Sequence, residues 1–111
     1  MQATDLLVTV TDETFASVVL ASDLPVVVDF WADWCPPCRK ISVTLAELAE
    51  EFDGRLAFAA INSDENPRAT RDYQVMSLPT LLVFRGGQVV ESIVGARPKG
   101  YLRDKLGAHA A

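Results

Sequence analysis

The sequence predicts an α/β fold, with a mixed central sheet of about five strands flanked by about four helices. Three observations carry that prediction. Short β-branched and apolar runs alternate with stretches whose apolar residues recur at helical spacing, the pattern of parallel strands joined by crossover helices. A Gly86-Gly87 pair separates two strand-like runs, which marks an antiparallel hairpin within the same sheet. Half of the 111 residues are apolar, enough to build a buried core in a single domain spanning 1–111.

Taken in order, residues 6–10 read as a first strand. Thr11 or Asp12 can then cap a helix whose Phe15, Val18 and Val19 share one face. After Asp23 and Pro25, residues 26–31 form an unbroken β-branched and aromatic run of the kind buried on both faces, which predicts a central strand. From 38 to 52, Ile41, Leu45, Leu48, Ala49 and Phe52 recur at helical spacing, and Gly54 ends the pattern, so the longest helix falls here. Residues 56–61 predict another buried strand. Asn66-Pro67 matches an N-cap followed by proline at the first helical position, opening a short helix to about residue 73. Residues 80–85 and 88–94 are the hairpin strands. Residues 98–106 predict a final amphipathic helix with Tyr101, Leu102 and Leu106 inward, and a frayed tail over 107–111. No linker, internal repeat or low-complexity segment interrupts this order.

The formal net charge of −5 argues against a phosphate-binding surface, because nucleic-acid binders cluster Lys and Arg. Proteins are the expected partners. Asp5, with no Lys or Arg before the first apolar stretch, does not suit an export signal, and no apolar run reaches membrane-span length. These features lead to the expectation of a soluble cytoplasmic protein, and a monomer is expected.

The chemistry lies in Trp34-Cys35-Pro36-Pro37-Cys38, where a central strand gives way to the long helix, and these are the only cysteines. Residues three apart at a helix start lie on one side, with a Cα separation that suits a disulfide. Cys35 faces free backbone N–H groups and the positive end of the helix dipole, both favouring thiolate, which makes it the nucleophile. Cys38, one turn in and more shielded, is placed to resolve a mixed disulfide. A purely structural disulfide is the weaker reading, since so small a loop constrains the unfolded chain little. Zinc requires about four ligands, and His109 is the only histidine. Asp29 interrupts an otherwise apolar strand, and a carboxylate buried there is costly unless it has a use.

The segment Asp29-Phe30-Trp31-Ala32-Asp33-Trp34-Cys35-Pro36-Pro37-Cys38 resembles the active-site segment of the thioredoxin family with one substitution. Asp64-Glu65-Asn66-Pro67, Leu78-Pro79-Thr80 and Val94-Gly95-Ala96 resemble later family motifs in the same order, so the resemblance spans nearly the whole chain. It implies the thioredoxin fold and a protein-disulfide reductase that cycles Cys35 and Cys38. It also implies no bound cofactor beyond that disulfide, and recharging by a thioredoxin reductase that draws on NADPH. By the same resemblance, Asp29 lies beneath the cysteines and accepts the Cys38 proton through water. Pro79 follows a cis peptide and faces substrate, and Trp34, Pro37, Met76, Leu78, Val94, Gly95 and Ala96 form an apolar docking rim.

Trp31 reads as packing, and His109, Lys99 and the Glu47-Glu50-Glu51 face read as solvated surface. Two positions depart from the family: Pro36 stands where glycine is most frequent, and Ala60 where many bacterial members have a lysine near the buried aspartate. The rival functions are a thiol oxidase or isomerase, which would carry an export signal, and a non-catalytic module, which would not require both cysteines.

Overall fold

Five strands form one sheet in the order β1-β3-β2-β4-β5: β1 Leu7–Thr9, β2 Val26–Trp31, β3 Ala57–Asn62, β4 Thr80–Arg85 and β5 Gln88–Val94. This computed structural model describes residues 6–111, so the charge reading at Asp5 lies outside the described residues. β3 runs parallel to both β1 and β2, and β4 antiparallel to β2 and β5, so the sheet is mixed as its sequence pattern requires. The helices are a π-helix at Ala16–Leu20, α1 at Pro36–Glu51, α2 at Pro67–Asp72 and α3 at Lys99–Gly107.

Alternation along the strands sorts the core onto two faces. Val27, Phe58, Leu81, Val83 and Ile93 pack with Ile41, Leu45 and Leu48 of α1 and Leu102 and Leu106 of α3. Val26, Val28, Phe30, Ile61, Leu82 and Phe84 face Phe15, Val19 and Ala69 on the other side. Each such buried side chain contributes about 1.5–3 kcal/mol. Phe15, Tyr73 and Phe84 add an aromatic triad with centroids 5.0–5.5 Å apart. β2 is buried along almost its whole length because it lies mid-sheet, with helices over both faces.

Four expectations differ from the structure. The first helix is a five-residue π-helix with Val18 exposed, and only Val19 of its own residues is buried. The Thr11 and Thr14 side chains bond each other's backbone instead, closing a turn ahead of it. Tyr101 is 41% exposed, because its side of α3 looks outward while Leu102 and Leu106 face the core. The tail is not frayed. Gly107 belongs to α3, the Ala111 N–H donates to the Arg55 carbonyl at 2.9 Å, and Ala110 packs against the core. His109 is not solvated surface either: its Nε2 lies 3.0 Å from Glu91 Oε1, and its carbonyl accepts from Arg85 at 2.9 Å.

Candidate active site

The active segment follows from how β2 ends. Phe30 pairs with Thr80 and Trp31 with Asn62, so the loops after β2 and β3 and the loop before β4 emerge at one end of the sheet. Cys35 is extended (φ −107°, ψ 95°) and forms the N-cap of α1, with Pro36 and Pro37 opening the helix and Cys38 in its first turn. Proline suits that position because its missing N–H would have no helical partner. Helix α1 thus begins two residues earlier than the apolar periodicity alone suggests.

Cys35 and Cys38 form a disulfide with a Cα–Cα distance of 5.3 Å. Burial does not separate them, since the two residues are 3% and 2% exposed. Position does. Cys35 stands outside the helix, whereas Cys38 lines a cavity of about 330 Å³ with Trp31, Ala32, Asp33, Arg39 and Ser42. Trp31 is half-buried and lines this cavity beside Cys38.

Asp29 is fully buried on β2, and neither carboxyl oxygen has a hydrogen-bond partner among the described residues. Strand alternation puts it on the same face as Val27, which is the face covered by α1. Its register neighbours on that face are Leu81 and Ala60, so no cation stands across from it. Burial alone pushes its pKa from 3.8 up to about 7, which lets it gain and lose a proton near neutrality.

The Leu78–Pro79 peptide is cis, and the Pro79 carbonyl accepts from Gly95 N–H at 2.8 Å. Gly95 has φ +91°, a conformation that strains other residues. Thr80 pairs with Val94, so Pro79, Val94 and Gly95 form one edge. Trp34 is 67% exposed, Met76 92% and Val94 49%, while Pro36, Pro37 and Ala96 are also exposed and Leu78 half-buried. Met76 and Val94 line a cavity of about 150 Å³ with Tyr73 and Thr80, to the β5 side of the site.

One contact went unassigned at the sequence level. The Trp34 indole Nε1–H donates to Asp64 Oδ2 at 2.8 Å. Asp64 is itself held where its N–H donates to Asn62 Oδ1 at 3.0 Å. An aspartate two residues past a strand-ending asparagine is a turn signal, and turns of this kind commonly carry site residues. Among the described residues no group of three or more His, Cys, Asp or Glu side chains could hold a metal ion.

A disulfide at the N-terminus of a helix, at one end of a mixed sheet, defines a thiol–disulfide oxidoreductase whose redox couple is its own cysteine pair. The thioredoxin family profile matches residues 6–108. Over 100 residues the chain is 47% identical to thioredoxin 1 of a Nostoc strain, covering 90% of this chain and 94% of that one. Over 93 residues it is 52% identical to thioredoxin of Streptomyces clavuligerus, covering 84% and 86%. Over 90 residues it is 48% identical to an M-type chloroplastic thioredoxin of Chlamydomonas reinhardtii, covering 81% and 64%. The chain belongs to the thioredoxin family.

Proposed function

We propose that this protein reduces disulfides in other proteins, with Cys35 as nucleophile, Cys38 as resolving thiol and Asp29 as proton acceptor. The Cys35 thiolate attacks one sulfur of the target disulfide. A mixed disulfide forms, and the other target sulfur leaves as a thiolate and takes up a proton. Cys38 gives its proton to Asp29 and attacks the Cys35 sulfur, which breaks the mixed disulfide and releases the second target thiolate. Two electrons pass from the dithiol to the target, and a thioredoxin reductase drawing on NADPH restores them. Trp34, Pro36, Pro37, Met76, Leu78, Val94, Gly95 and Ala96 supply the face on which the target lies, and the buried Pro79 holds its edge through the bond from Gly95. The targets are cytoplasmic proteins, and the protein works as a monomer.

The observation that carries this reading is the placement of Cys38. It stands in the first turn of α1, on the face of the sheet where the buried Asp29 titrates near neutral pH. The test follows NADPH consumption with a thioredoxin reductase and a disulfide-bonded protein. Wild type sustains turnover, and the Cys35→Ser/Cys38→Ser variant gives only background. Equal rates from the two would overturn the proposal.

A further inference from the structure

Four of the ten Lys and Arg residues fall between positions 97 and 105, in a chain whose net charge is −5. Their contacts sort them into two groups. Lys99 and Arg103, four residues apart, meet α1. Lys99 Nζ lies 3.0 Å from Glu47 and 3.5 Å from Glu51, and Arg103 forks onto both Glu51 oxygens at 2.8 and 3.0 Å. Those two cations are neutralised within the fold.

Tyr101 and Lys105, also four apart, line a different face of α3, Arg97 stands just before the N-cap Pro98, and all three are exposed. The Arg97 guanidinium carbon lies 5.6 Å and the Lys105 ammonium 5.9 Å from the Tyr101 ring centroid. Neither cation forms an ion pair among the described residues. The negative face of the ring holds two charges that would otherwise repel each other. Arg97 Nε also donates to the Val94 carbonyl at 3.3 Å, so the stripe begins at the edge formed by Pro79, Val94 and Gly95. Tyrosine and arginine together make up the side-chain chemistry that dominates protein interfaces, and two unpaired cations in an acidic chain call for anionic groups.

We propose that Arg97, Tyr101 and Lys105 form a docking stripe for an acidic segment of the disulfide-bearing target, engaged beside the rim while Cys35 reacts. This rests on the proposed function, because it takes the neighbouring rim as the target-facing surface. The stripe selects targets by charge and leaves the sulfur chemistry untouched.

The test compares two peptides with the same disulfide, flanked by runs of Glu in one and Gln in the other. At low ionic strength kcat/KM for the Glu peptide is expected to exceed that for the Gln peptide by about fivefold, equivalent to about 1 kcal/mol. Added salt should close that gap. In Arg97→Gln/Lys105→Gln the preference disappears, while rates for the Gln peptide and for a small aromatic disulfide stay as in wild type.

Equal reduction of both peptides by wild type overturns the stripe and leaves the proposed activity standing. So does a preference that survives in the double variant. An oligonucleotide that competes more strongly than a disulfide-free Glu peptide would assign the stripe to nucleic acid and also overturn it. If wild type reduces neither peptide, the underlying activity fails and the stripe falls with it.

Discussion

Helices α1 and α2 begin alike and end up with different chemistry. Each has a polar or thiol N-cap followed by proline, Cys35-Pro36 in one and Asn66-Pro67 in the other, and neither N-cap side chain accepts a hydrogen bond from the amides of its own helix. At α2 the Asp12 carboxylate arrives from a distant loop and accepts from the N–H groups of Arg68 at 3.1 Å and Ala69 at 2.8 Å. Asn66 turns away, accepting from Asp12 N–H at 2.8 Å and donating to the Asn62 carbonyl at 2.9 Å. That helix end is closed. At α1 no carboxylate accepts from the first-turn amides among the described residues, and the Cys38 N–H turns back to the Cys35 carbonyl at 3.0 Å. The positive end of its dipole is left for sulfur. One local sequence signal therefore yields a structural cap or a reactive terminus, depending on whether a remote carboxylate reaches it.

The comparison breaks most completely at the cysteines. Cys35→Ser should reduce disulfide exchange to background, whereas Cys38→Ser should still attack and then accumulate as a mixed disulfide visible by mass spectrometry. The reverse pattern would swap the two roles.

Next in size is Asp29, the carboxyl group on the α1 side that is buried in the sheet instead of capping amides. Asp29→Asn should slow the resolving step by about a hundredfold near pH 7, measured by rapid mixing with a target disulfide. Stability should move the other way. The folded pKa of about 7 lies above the unfolded value near 3.8, so between those pH values the folded state holds more protons than the unfolded state. Stability from this group is full below about pH 4, falls by roughly 4 kcal/mol as pH rises to about 7, and changes little above that. Denaturation of Asp29→Asn should lack that fall. An unchanged rate would remove the proton-acceptor role, and an unchanged pH slope would remove the burial account.

How much of this was legible in the sequence depends on the range of the interaction involved. β2, β4 and β5 match their sequence-predicted bounds because unbroken β-branched runs and a glycine pair are local signals. Asp29 stood out as a charge in an apolar strand, and the cysteine spacing was plain. The Asp12 cap on α2 was not legible, since it joins residues more than fifty positions apart. Nor was the docked tail, whose bonds to Arg55, Arg85 and Glu91 arise only once the sheet is assembled. Tyr101 looked like core by its size and spacing. Only the packing of Leu102 and Leu106 shows that its side of α3 faces outward.

Asp12→Ala should open the closed end of α2. Loss of its two bonds should cost about 1–2 kcal/mol in denaturant unfolding and leave disulfide reduction unchanged. A smaller effect is expected at Pro36, which lacks the N–H that glycine would offer the thiolate and stiffens the loop between the cysteines. Pro36→Gly should make the couple more oxidising by no more than about 30 mV, equivalent to roughly 1.4 kcal/mol. Equilibration against glutathione measures it, and a shift towards more reducing values would contradict both effects.

The central claim is that the open end of α1 makes Cys35 the reactive thiolate, and the most direct test is the pH dependence of iodoacetamide alkylation in the reduced protein, read at each cysteine by mass spectrometry. Cys35 should be alkylated first, with a midpoint below the ordinary thiol value of about 8.5, and Cys38 only at higher pH. A Cys35 midpoint at or above that value, or alkylation of Cys38 first, would contradict it.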